Sequence, residues 1–140
     1  MPSRRVFLDT NGWIALLSSS DSLHVHAQPL WTELVRQDSS ILLTDWVAAE
    51  TGNGLARTLA RAHFPNAVEL IRSSSQVQWI TITDDLFRRA LQRYAERHDK
   101  SWGLVDCASF VVMEDHGVQE AFTNDRHFMQ AGFRTLLPIS

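Results

Sequence analysis

With 140 residues, 44% hydrophobic and 21% charged, the chain has the size and composition of one soluble globular domain spanning 1–140. A formal net charge of −3 excludes a generic polycation that coats nucleic acid, and a single cysteine, Cys107, excludes both a disulfide framework and a multi-cysteine zinc site. No apolar run is long enough to span a bilayer, because Asp9, Glu50 and Asp106 interrupt the candidates.

Arg4-Arg5 ahead of V-F-L and W-I-A-L-L has the outline of a secretion signal. Asp9 and Asn11 break that stretch, so the expectation is a mature strand and helix in a cytoplasmic protein. The strand is Arg5–Leu8, ending at Asp9. Asn11-Gly12 then reads as a turn and Trp13–Leu17 as the start of a helix. Asp21 or Ser22 offers a cap for a second helix running to Gln37, with Leu30, Leu34 and Val35 at helical spacing and Pro29 marking a kink or the true first turn. A strand over Ile41–Leu43 leads into Thr44 or Asp45 as cap of a helix that places Trp46, Val47, Glu50 and Gly54 on one face. Arg61–Ser73 is a helix interrupted near Pro65, and Val77–Ile82 a strand. T-D-D caps an amphipathic helix to about His98. Leu104–His116 is a helix stopped by Gly117. Ala121–Thr123, Asp125–Gln130 and Arg134–Leu137 close the chain as strand, helix and strand. Alternating strands and helices predict an α/β fold with a parallel sheet flanked by helices on both faces.

Asp9 and Asp125 follow strands directly, and Glu50 and Asp106 lie early in helices that begin at the same edge. Open α/β sheets bind ligands beyond the carboxyl ends of their strands. Each acid has a local explanation. Asp9 and Asp125 suit helix caps, and Asp106 suits the positive end of a helix dipole. Glu50, placed with Trp46 and Val47, is the hardest to explain that way. Four such acids from four elements on one rim would repel one another unless a cation joined them. Oxygen-rich anionic clusters suit Mg²⁺ or Mn²⁺, so metal-assisted phosphodiester cleavage is the chemistry to expect.

Other candidates fit packing or solvation. Cys107 sits in an apolar run as a small buried hydrophobe. Of six histidines only His127 falls near the proposed site, as a packed or hydrogen-bonding group. The five tryptophans read as core rather than base-stacking platforms. Twelve of thirteen basic residues are Arg, a type that grips phosphate in bidentate fashion.

F-L-D-T-N-G-W-I-A-L-L, T-D-W-V-A-A-E-T, L-V-D-C-A-S-F-V-V-M and A-F-T-N-D-R-H-F-M-Q-A-G-F resemble, in order, the motifs of PIN-domain ribonucleases, most nearly the VapC-type toxins of toxin–antitoxin pairs. The resemblance runs from Val6 to Pro138. It implies a PIN-like fold, endonucleolytic hydrolysis of RNA leaving a 5′-phosphate, and Asp9, Glu50, Asp106 and Asp125 as catalytic, metal-binding acids for Mg²⁺ or Mn²⁺. Asn11 and Thr123 would be supporting polar groups. It also implies a small cognate antitoxin and a homodimer, for which the early helices around Trp31 and Leu34 are a candidate surface. One departure is visible: the family often has Ser or Thr before the Leu of L-x-D, where this chain has Gly103, leaving Ser101 to supply a hydroxyl. An acidic site needs cations to guide RNA, and Arg89, Arg93 and Lys100 are the candidates. The competing readings are a free-standing housekeeping ribonuclease, a non-catalytic PIN-like RNA-binding module and a small phosphatase using Asp9. The retained acids count against the second. Asn11, where a second acid would be needed, counts against the third.

Overall fold

The computed structural model describes residues 3–139. Five strands, β1 (Arg5–Leu8), β2 (Ser40–Thr44), β3 (Val77–Ile80), β4 (Glu120–Phe122) and β5 (Arg134–Thr135), form one sheet in the order β3-β2-β1-β4-β5. All four pairings are parallel. The chain therefore builds outward from β1 on one side and then crosses back to add β4 and β5 on the other. That reversal opens a crevice at the carboxyl ends of β1 and β4.

Side chains alternate across this sheet with period two. Phe7, Leu42 and Ala121 face one core, shared with Val47, Ala90, Phe110, Val112 and Phe128. Val6, Leu8, Ile41, Leu43 and Phe122 face the other, shared with Trp13, Ala15, Ala27 and Leu34. The first core is covered by α5 (Asp84–Glu96), α6 (Leu104–Asp115) and α7 (Arg126–Gln130), the second by α1 (Thr10–Leu17), α2 (His24–Arg36) and α4 (Phe64–Ser73). Cys107 is buried in the first core, and burial pushes its thiol pKa up. It is packing, not a nucleophile.

Several boundaries differ from expectation for physical reasons. Asn11 and Gly12 are not a turn but part of α1, which starts immediately after β1. The glycine is needed for contact: a Cβ on Gly12 would lie 2.0 Å from the Phe122 carbonyl oxygen. Helix α1 thus rests directly on the end of β4. Pro29 lies inside α2, on its exposed side. Its missing amide leaves the carbonyl of exposed Val25 to water. Neither Asp21 nor Ser22 is the cap residue. That position is Leu23, whose amide donates to Asp21 Oδ1.

Thr44 caps α3 (Asp45–Leu55) by accepting the Val47 amide. The Ile82 amide donates to Asp45 Oδ1, and β3 stops at Ile80. Leu59–His63 forms a 3₁₀ turn rather than the start of α4. Leu136 and Leu137 continue to bond the Ala121 and Thr123 carbonyls beyond β5. Gly117, at φ 64, turns the chain out of α6 in the left-handed region that glycine enters freely. No helix among the described residues is long and apolar enough to cross a membrane.

Candidate metal centre

The crevice beyond β1 and β4 holds the acids. Asp9 directly follows β1 and is only 4% exposed. Its carboxylate forms no cap bond to α1 and instead accepts the Thr123 hydroxyl at 2.7 Å. The same Thr123 oxygen accepts the Asp125 amide at 3.1 Å, so one hydroxyl ties the end of β1 to the loop after β4. Burial raises the Asp9 pKa to about 7, opposed by the Thr123 hydroxyl bond and the neighbouring Thr10 amide and reinforced by the charges of Asp106 and Asp125. A carboxylate so placed resists ionising without a neighbouring cation.

Asp106 enters from the first turn of α6. Its Oδ2 accepts the Gly103 amide at 3.1 Å, so it reaches back to cap its own helix. It also bonds His127 Nδ1 at 2.9 Å. Burial, the main cause, and the charge of Asp125 raise its pKa despite both bonds. Asp125 caps α7 by accepting the His127 amide at 2.9 Å, and lies 3.4 Å from His127 Nδ1. Asp106, Asp125 and His127 present ligand atoms within 4.8 Å of one another. Among the described residues these two carboxylates form ion pairs with no cation other than His127, and Asp9 forms none. The donors are hard carboxylate and hydroxyl oxygens with one imidazole, a set that fits a divalent cation.

Glu50 joins differently. Its Oε1 accepts the Thr10 hydroxyl at 2.7 Å, which ties it to the residue after Asp9. It is not on the apolar face of α3. That face consists of Val47, Ala48, Thr51 and Leu55, and Glu50 is exposed beside the crevice. Asn11 Nδ2 donates to Asn124 Oδ1 at 3.1 Å and makes a second link between α1 and the loop after β4. Ser101 lies 3.2 Å from His127 Nε2. The hydroxyl that Gly103 lacks is thus present one step away, acting on the histidine rather than on the acid.

The cations expected to guide RNA are not gathered at the crevice. Arg89 pairs with Asp115 at 2.6 Å and Arg93 with Glu114 at 2.7 Å, both toward the far end of α6. Glu114 is eight residues beyond Asp106, about 12 Å along the helix axis. Lys100, on the loop before α6, forms no ion pair among the described residues. Trp31 is partly buried with its edge against Phe122, ring centroids 5.6 Å apart. Leu34 is fully buried in the core and offers no surface for a second copy.

A parallel sheet in this strand order, with acids at the switch point supported by a threonine from the neighbouring strand end, defines the class. Residues 6–134 match the PIN domain family, and the chain belongs to it. It is 29% identical over 136 residues to the 23S rRNA-specific endonuclease VapC20 of Mycobacterium tuberculosis, covering 95% of this chain and 98% of that protein. The crystal structure of that VapC20, a sarcin-ricin loop cleaving toxin, superposes with a TM-score of 0.84 at 28% identity, over 95% of this chain and 99% of that one. FitAcB from Neisseria gonorrhoeae, at 19% identity, shares the fold with a TM-score of 0.64 over 93% of this chain and 95% of that one.

Proposed function

We propose that the chain is a Mg²⁺- or Mn²⁺-dependent endoribonuclease of the VapC kind, acting in the cytoplasm as the toxin of a toxin–antitoxin pair. The observation that carries the reading is Asp9, a buried carboxylate held near Asp106 and Asp125 with no guanidinium or ammonium ion-paired to it among the described residues. Asp9, Asp106 and Asp125 would hold the cation, with Glu50 reaching it from the α3 side. A bound cation supplies a lowered water pKa and neutralises charge developing on the scissile phosphate. The protein's own groups keep the ligands in place. Thr123 orients Asp9, Thr10 orients Glu50, and His127 spans Asp106 and Asp125.

The relationship to VapC20 supports a loop of ribosomal RNA as the first substrate to try. Single-stranded or loop RNA suits a site that selects by sequence, because its base edges are open. Of the expected phosphate contacts Lys100 is favoured, since Arg89 and Arg93 are already engaged with α6. A cognate antitoxin would inhibit by inserting an Arg or Lys among the carboxylates, relieving the same repulsion a metal relieves. A homodimer is expected to use α2 around Trp31.

The test is incubation of the protein with total RNA and with ribosomes, with and without Mg²⁺ or Mn²⁺, followed by mapping of the cut ends. Metal-dependent cuts with 5′-phosphates, absent with Asp106→Asn, are the expected result. RNA left intact in every metal would refute the reading. Growth arrest on expression alone, reversed by the product of the neighbouring gene, separates a toxin from a free-standing ribonuclease.

A further inference from the structure

A cavity of about 430 Å³ opens beside the metal centre, lined by Tyr94, His98, Lys100, Ser101, Trp102 and Gly103. Two of its wall residues also belong to the acidic site. The Gly103 amide donates to Asp106, and the Ser101 hydroxyl bonds His127. Its volume falls within the roughly 300–1,000 Å³ of small-ligand sites. Its lining is unusual for this face, where cations are otherwise matched. Arg88, Arg89, Arg93 and Arg97 pair with Asp84, Asp115, Glu114 and Asp99. Lys100 forms no ion pair among the described residues and acts on Asp99 only through space.

The two aromatic rings of the wall differ in the same way. Trp102 is committed: its Nε1 donates to Gln130 at 3.0 Å, its ring meets Phe110 edge-on, and Arg97 lies over it at 5.0 Å. Tyr94 is 52% exposed and has neither a ring partner nor a side-chain hydrogen bond among the described residues. A free aromatic face next to a free ammonium is the pairing that single-stranded nucleic acid uses, with stacking for the base and charge for its phosphate.

Resting on the ribonuclease reading, we propose that this cavity is the subsite for one unpaired nucleotide flanking the scissile phosphate. Its base stacks on Tyr94 and its phosphate meets Lys100. The subsite fixes which bond lies over the carboxylates, so it sets where the enzyme cuts rather than how fast the bond breaks.

The test uses a short single-stranded RNA containing the mapped cut and versions with a single abasic position on either side. Tyr94→Ala should raise KM about ten- to a hundredfold with kcat near wild type, the range base–aromatic stacking supports. Tyr94→Phe should restore it. One abasic position should cause a similar loss in the wild type and no further loss in Tyr94→Ala. Lys100→Ala should lower the salt slope of binding by about one. Anisotropy on proteins that also carry Asp106→Asn reads affinity without cleavage. If the wild-type chain binds a single-stranded RNA but does not cut it, the ribonuclease reading fails, and the subsite survives only as a nucleotide-binding site at Tyr94 and Lys100, read by anisotropy on that RNA. Tyr94→Ala with unchanged KM and affinity, or with equal losses on intact and abasic RNA, would overturn the subsite, as would no RNA binding at all.

Discussion

Carboxylates gather in two regions of this molecule with opposite electrical outcomes. Along the seam between α5 and α6, Glu114 and Asp115 each meet an arginine fork, and the bond from Arg89 holds the Asp115 pKa below the usual carboxylate value. In the crevice beyond β1 and β4, Asp9 and Asp106 are more buried, meet hydroxyls, amides and one imidazole, and have raised pKa values. The first arrangement is complete as it stands, whereas in the second no arginine or lysine among the described residues pairs with Asp9 or Asp106. Acidity alone does not mark a functional site. Acidity that the chain leaves uncompensated, at some cost to its own stability, does.

The largest expected effect comes from removing a ligand. Asp9→Asn or Asp106→Asn should lower RNA cleavage at least about a hundredfold, whereas Asp115→Asn should leave it unchanged, measured as initial rates at saturating metal. Equal loss in all three would erase the distinction between the two regions.

The second effect is on stability against pH. Because the folded Asp9 pKa is about 7 against 3.8 unfolded, the folded state binds the proton more tightly. Its contribution is full below the unfolded value and is lost as pH rises through the folded one. The metal-free protein should therefore lose thermal stability between about pH 4 and 7. Asp9→Asn should flatten that slope, as should saturating Mn²⁺. A metal-free melting temperature that rises through this window would contradict the assigned environment.

Thr123→Val sharpens the contrast from outside the ligand set. It keeps the shape but removes the hydroxyl that orients Asp9, and metal affinity read by calorimetry should fall about ten- to a hundredfold. The smallest effect belongs to the paired seam. Arg89→Ala should cost about 0–1 kcal/mol in urea unfolding, screened by salt, with the RNA salt slope unchanged.

Much of this was legible in the sequence because it was local. Strand–helix alternation located the five strands within a residue or two at most ends, and acids placed after β1 and β4 had to emerge at the carboxyl edge. What was hidden depended on contacts across the chain. The Asn11-Gly12 pair resembles a turn until β4 arrives against it, and then glycine serves close approach instead. Glu50 shares helical spacing with Trp46, yet the buried face of α3 is set by the sheet beneath Val47 and Thr51. Leu34 looks available for a partner until the rest of the second core covers it. Arg93 and Glu114 lie 21 residues apart, so no spacing rule announces that the arginine is already engaged. His127 was foreseen as a hydrogen-bonding group near the site, but its reach to Ser101 required the fold.

The contact at Gly12 has a genetic consequence. Helix α1 carries Thr10 and Asn11 to their partners on Glu50 and Asn124 only while its backbone lies against Phe122. A selection for inactive variants should therefore recover Gly12 substitutions alongside the aspartates, although glycine has no functional group to lose. Such alleles would be dimensional lesions, failing by displacement of the helix that carries the neighbouring polar groups. Because the closest clash is with the Phe122 backbone carbonyl, which every residue carries, a smaller side chain at position 122 should not suppress them.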